Sequence, residues 1–115
     1  MVPLGNGALL TGVARWAKAA RPGIEVIGVQ ATGADAMEKS WRTGHLVFPP
    51  SVATIADGIG VRVPIAEAVA DMHGIVDDVL LVSDDQIITA MRLLFRKAGL
   101  MTEPSGAAGV AAIAA

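Results

Sequence analysis

Gly5-Asn6-Gly7-Ala8 is the stretch whose residue types and spacing point most directly to chemistry. A short apolar run, Val2-Pro3-Leu4, feeds it, and an amphipathic helical pattern leaves it at Leu9. Glycines let a backbone take positive φ and approach a ligand closely. The loop and the first helical turn then direct free N–H groups at an anion, with the helix dipole behind them. The chemistry implied is the grip of a phosphate. Other polar residues have simpler readings. Asp77 and Asp78 flank a strand pattern, and Asp84 and Asp85 fall in a first helical turn, where the dipole favours acids. His45 and His73 have no Cys and no His at i+4 to complete a ligand set, and read as surface residues.

The elements that must position this loop alternate between helix and strand. A helix is expected from about Ala8 to Ala20, with Leu9, Val13, Trp16, Ala17 and Ala20 on its buried face and Pro22-Gly23 ending it. Ile24 to Gln30 reads as a strand buried on both faces, as in a parallel sheet. A second helix follows from about Ala34 to Arg42, stopped by Gly44, and Trp41, like Trp16, reads as a packing residue. His45 to Ser51, with Phe48-Pro49-Pro50, reads as loop, and Ile55 to Val63 is ambiguous around the turn signal Asp57-Gly58. Pro64 can open a short helix to about Met72. Asp78 to Val82 is the next strand. Ser83 and Gln86 form a capping box for a helix to about Ala98, expected to bury Ile87, Ile88, Met91, Leu94, Phe95 and Ala98. The Ala-rich tail from Ala107 to Ala115 favours helix. The fold class is α/β, three layers αβα around a mainly parallel sheet with right-handed crossovers.

Composition narrows the function classes. The 115 residues suit one domain, or part of one. With 53% hydrophobic and 17% charged residues, the chain is no disordered tail. A net charge of −2 gives no electrostatic case for nucleic acid. No apolar run approaches a membrane span, no signal peptide is recognisable, and there is no cysteine, so a cytoplasmic setting is the default expectation. A dinucleotide site would want Gly where Leu10 stands and an acid where Gln30 ends the second strand.

Four blocks in order, Val2-Pro3-Leu4-Gly5-Asn6-Gly7-Ala8-Leu9-Leu10-Thr11-Gly12, Ile27-Gly28-Val29-Gln30, Thr54-Ile55-Ala56-Asp57-Gly58, and Val76-Asp77-Asp78-Val79 through Glu103-Pro104-Ser105-Gly106-Ala107, resemble the tryptophan synthase β-like, fold-type-II pyridoxal-phosphate enzymes. Serine/threonine dehydratases are the most similar members. The resemblance implies that Gly5, Asn6, Gly7, Ala8 and Leu9 cradle the phosphate of pyridoxal 5'-phosphate through backbone N–H groups. It further implies that Gly58 lies beside the cofactor ring and that Glu103 stands near the active site, the alternative for Glu103 being a charge at a helix entry. The dehydratases usually carry Gly where Asn6 and Ala8 stand, and the Gly-Asn-Gly variant is also similar to threonine-synthase-like members.

Two departures shape the expectation. Many of the dehydratases bind a divalent cation through acidic side chains at the positions of Gln30 and Ala36 and a carbonyl at that of Ala34. Ala36 has no ligand to offer, so no metal is expected. The family's Schiff-base lysine and substrate-carboxylate loop precede the phosphate loop, and a segment supporting the ring nitrogen follows the C-terminal helix. Lys18, Lys39 and Lys97 all lie in helical stretches outside the lysine motif. Residues 1–115 are therefore expected to be a single partial domain of a dehydratase-like ammonia-lyase, carrying the phosphate loop without turnover of its own. The resemblance implies a small amino-acid substrate for the intact relative. Open sheet edges and the apolar tail favour a homo-oligomer. A threonine-synthase-like fragment, or a non-catalytic self-associating remnant, remains the alternative.

Overall fold

Three short strands lie side by side in chain order in a parallel sheet: β1 (Val2–Pro3), β2 (Ile27–Ala31) and β3 (Asp78–Val82). The computed structural model describes all residues, Met1–Ala115. In register, Val2 pairs with Gly28, Gly28 with Val79 and Ala31 with Val82. The strand-to-strand crossovers carry helices α1 (Ala8–Ala20), α2 (Ala36–Thr43) and α3 (Ala66–Met72), and α4 (Asp84–Ala98) and α5 (Pro104–Ala114) follow β3. Single 3-10 turns lie at Thr32–Ala34 and Asp57–Ile59.

Alternation along the strands separates two cores, one on each face of the sheet. Val29, Ala31 and Val82 meet Ile87 and Ala90 of α4 and Ala107, Ala108 and Ala111 of α5. On the opposite face Leu4, Val26 and Val79 meet Leu10 and Ala14 of α1, Met37 of α2 and Val69 and Met72 of α3. The result is the expected three-layer α/β arrangement.

The boundaries of α1, β3 and α4 fall where local chemistry puts them. Ser83 accepts from the Gln86 N–H while the Gln86 side chain accepts from Ser83 N–H, completing the capping box. Gly99 closes α4 in the left-handed region, at φ 66°. Other expectations are corrected. The buried face of α1 is Leu10 and Ala14, whereas Leu9, Val13 and Trp16 are 61%, 37% and 75% exposed. The exit from Gly7 at φ 97° sets the rotation of the helix, so side-chain size does not decide which stripe meets the sheet. Trp41, as expected of a packing residue, lies half-buried against the core and stacks on the exposed His73 at 6.2 Å. On α4, Ile88, Met91 and Leu94 are half-buried, and Phe95 and Ala98 are exposed. The second helix begins at Ala36 because Thr32–Ala34 winds as a 3-10 turn first.

β2 begins three residues later than the apolar pattern suggests because a side chain takes over from the ladder. The Asp77 carboxylate accepts from the Val26 N–H at 2.7 Å and pairs with the Lys18 ammonium at 2.7 Å, while Asp77 N–H donates to the Val26 carbonyl at 2.9 Å. The hydrogen bond from Lys18, then that from Val26, hold the Asp77 carboxyl below its ordinary value of 3.8. A folded value below the unfolded one means that the unfolded chain takes the proton first on acidification. The stabilisation is complete above pH 3.8 and is lost as the pH falls through the lowered folded value. Melting temperatures followed from neutral pH to about pH 2 are expected to fall less steeply below 3.8 in Asp77→Asn than in the parent chain. Parallel curves would disprove this role for Asp77.

Candidate functional site: a glycine-lined cleft at the strand ends

The cleft forms where β1 gives way to α1. Leu4 is fully buried and anchors the end of β1, donating its N–H to the Val29 carbonyl at 2.8 Å. The backbone then turns through Gly5, Asn6 and Gly7. Gly7 takes φ 97°, and a Cβ there would also meet Met37 Cε at 3.3 Å, so this position needs glycine on two counts. The Asn6 carboxamide oxygen accepts from the Ala8 N–H at 3.0 Å and holds the first turn. The N–H groups of Gly5, Asn6, Gly7, Leu9 and Leu10 have no acceptor within the chain.

Gly5, Asn6, Gly7 and Leu9 line one side of a cleft of about 210 Å³. Gly58, Ile59 and Val61 line the other, and Pro3 completes it. Five of the seven residues singled out from the sequence thus share one cleft: Gly5, Asn6, Gly7, Leu9 and Gly58. Ala8 sits within the loop, its N–H already taken by Asn6. No acidic side chain lines the cleft, and its loop edge is an array of N–H donors, which is the environment a phosphate dianion requires. Gly5 and the opposite wall approach closely: a Cβ on Gly5 would lie 3.3 Å from Ile59 Cα.

Glu103 lies behind Gly58, with Oε1 3.9 Å from where a Gly58 Cβ would stand. Its carboxylate accepts from the Ser105 N–H at 2.8 Å and the Gly106 N–H at 3.0 Å and so caps α5, which starts three residues before the expected Ala107. Two residues not singled out as site residues, Ser105 and Asp84, shape this wall. Ser105 is buried, and its Oγ would stand 2.9 Å from a Gly58 Cβ, so any side chain at position 58 would have to displace this hydroxyl. Asp84 accepts from the Thr54 hydroxyl at 2.6 Å and the Ile55 N–H at 3.1 Å, tying the Thr54–Gly58 block to the start of α4. Gln30 is fully buried at the end of β2, and its Oε1 accepts from the Glu38 N–H at 2.9 Å. A carboxylate beside a helix start was the available signal for Asp84, but only the fold reveals what it holds.

A parallel α/β sheet with a glycine-rich strand-to-helix turn, facing a glycine on a neighbouring loop across a cleft, defines the architecture. Residues 1–115 match the family described as pyridoxal-phosphate dependent enzyme, and the chain belongs to that family. It is 38% identical over 113 residues to the catabolic L-threonine dehydratase of Staphylococcus aureus (strain N315), covering 98% of this chain and 33% of the relative. It is 36% identical over 113 residues to a serine racemase of Oryza sativa subsp. indica, covering 97% of this chain and 33% of the relative. Among solved structures, maize serine racemase superposes with a TM-score of 0.92 at 36% identity, over 99% of this chain and 36% of that one. The processed form of threonine deaminase isoform 2 from Solanum lycopersicum superposes with a TM-score of 0.90 at 34% identity, over 96% of this chain and 30% of that one. The chain thus spans about a third of the length of the curated relatives it matches. No helix is long and apolar enough to cross a membrane.

Proposed function

We propose that this chain supplies the phosphate cradle and one ring-side wall of a pyridoxal 5'-phosphate site in a dehydratase-like ammonia-lyase. Such an enzyme removes the α-proton of a small hydroxy amino acid, expels the β-hydroxyl, and releases ammonia and a 2-oxo acid. The observation that carries this reading is the meeting of the Gly5–Leu9 donors with Gly58 across one cleft, in a chain that belongs to this family. The residues present fit the cofactor: unpartnered N–H groups suit its phosphate, and Gly58 leaves room for a flat ring. When bound, the cofactor supplies the electron sink for the α-carbanion. Gly5, Asn6, Gly7 and Leu9 hold the phosphate and orient the ring through it. Ser105 keeps position 58 free of a side chain. Glu103 fixes the start of α5 behind Gly58. No lysine lines the cleft, so the chain alone binds without turning over.

Amide NMR of the purified chain titrated with pyridoxal 5'-phosphate tests this. We expect shifts concentrated at Gly5, Asn6, Gly7, Leu9 and Gly58, with weak affinity of about 1 mM, on the order of −4 kcal/mol. We expect no 2-oxobutyrate from threonine. Shifts scattered away from the cleft would remove the cradle, and cofactor-dependent 2-oxobutyrate would overturn the expected inactivity. The exposed Leu9–Val13–Trp16 stripe and the outer edge of β3, with Leu81 37% exposed, support a homo-oligomer. Sedimentation of the same samples reads its size, and a monomer at every concentration removes that part of the proposal.

A further inference from the structure

The resemblance to the dehydratases puts a divalent cation at the corner between β2 and α2, and the donors at that corner do not suit one. Hard cations need several free oxygens, carboxylates among them. Gln30 presents one neutral oxygen, and the Glu38 N–H already occupies it at 2.9 Å. Its Nε2 is buried without a partner, so the rest of the group turns a donor, not an acceptor, into the corner. Ala34 and Ala36, 1% and 0% exposed, add no side-chain oxygen, so of the family's set only the Ala34 main-chain carbonyl is left. The Gly33 carbonyl accepts from the Ala53 N–H at 2.9 Å. Every nearby carboxylate is matched to a base. Asp35 pairs with Lys39 at 2.8 Å, Glu38 pairs with Arg42, and Arg42 reaches on to Asp78 at 3.1 Å and the Val79 carbonyl at 3.0 Å.

We infer that in this chain the Gln30 carboxamide replaces the cation as the clip between β2 and α2, and that the chain folds and stays folded without a divalent ion. The Gln30 amide caps the helix start, and the Glu38–Arg42–Asp78 relay ties that helix to β3. The corner is held by groups that carry their own charge balance, so an added cation would meet a donor N–H and three committed carboxylates, Asp35, Glu38 and Asp78. The inference does not rest on the cofactor reading, because its test contains no cofactor.

Thermal melting of the full chain in EDTA, and in millimolar Mg²⁺, Ca²⁺ or Mn²⁺, reads it directly. The expected result is one melting temperature in all four buffers. A rise of more than about 2 °C with any ion, reversed by EDTA, would overturn the inference. Gln30→Ala should lower the melting temperature equally in every buffer, whereas an unchanged melting temperature would show that the amide clips nothing. The double change Gln30→Glu with Ala36→Asp should create cation dependence, with a rise of about 5 °C in excess Ca²⁺. It should also give terbium luminescence sensitised by Trp41 on α2. A double variant that is unfolded in EDTA and folds on adding Ca²⁺ supports the inference equally. A double variant that folds but ignores Ca²⁺, or that folds in neither buffer, counts against it.

Discussion

Gly33→Ala is expected to abolish cooperative melting of this chain, or to lower its melting temperature by roughly 10 °C or more. A Cβ at position 33 would stand 1.8 Å from the Ala53 carbonyl oxygen and 2.7 Å from its carbon. Both are backbone atoms, so no side chain can swing aside. Relief requires the turn after β2 to part from the loop at Ala53, breaking the Ala53 N–H to Gly33 carbonyl bond of 2.9 Å. Overpacking of this kind costs about 3 kcal/mol or more, a large part of a typical stability of about 5–15 kcal/mol. The cleft would suffer too. Ala53 leads directly into the Thr54–Gly58 block, so its displacement moves one wall away from the Gly5–Leu9 turn. Circular dichroism melting and the same amide titration check both effects. A variant melting within about 2 °C of the parent would mean that the two turns are not held in this contact.

Leu10→Ala should cost about 2–5 kcal/mol, while Leu9→Ala, one residue away, should cost less than about 0.5 kcal/mol. Leu10 is fully buried, and its Cδ2 lies 2.8 Å from where a Cβ on Gly28 would stand, so it rests directly on the middle of β2. Leu9 is 61% exposed. The two variants delete the same atoms from the same helix, so their difference measures burial alone. Denaturant midpoints of the pair give the answer. Equal costs, or a larger cost at Leu9, would mean that the helix is rotated the other way or that association covers Leu9 in the parent chain.

That pair also marks where the sequence stops being legible. The bounds of α1, β3 and α4 could be read because local chemistry imposes them: glycine at a positive φ, a Ser–Gln box, acids at a helix start and bases at its end. The rotation of α1 could not, because the helix carries two apolar stripes and the larger one, with Trp16, is the one left outside. Glu103 as the cap of α5 was hidden for a different reason. Helix starts are recognised by Ser, Thr, Asp or Asn, and here only Pro104 in the first turn signalled the true start. Within the site, the Gly5–Leu9 turn and its free N–H groups could be read from residue type. The approach of Gly58 could not be derived from periodicity, since it depends on Asp84 tying a distant loop to the start of α4. The resemblance to the pyridoxal-phosphate enzymes implies a ring beside Gly58, and in the fold Gly58 faces the Gly5–Leu9 turn across the cleft.

Ala107, Ala108 and Ala111 of α5 fill the same apolar layer as Val29 and Ile87, and a Cβ on Gly109 would lie 3.6 Å from the Met1 carbonyl oxygen. Helix α5 therefore seals a layer to which β2 contributes some eighty residues earlier in the chain. During synthesis that layer stays uncovered until Pro104–Ala114 has left the ribosome, however early β1 and β2 emerge. Between the emergence of β2 and that of α5 the growing chain exposes sticky surface, and chaperones would be called upon to shield it.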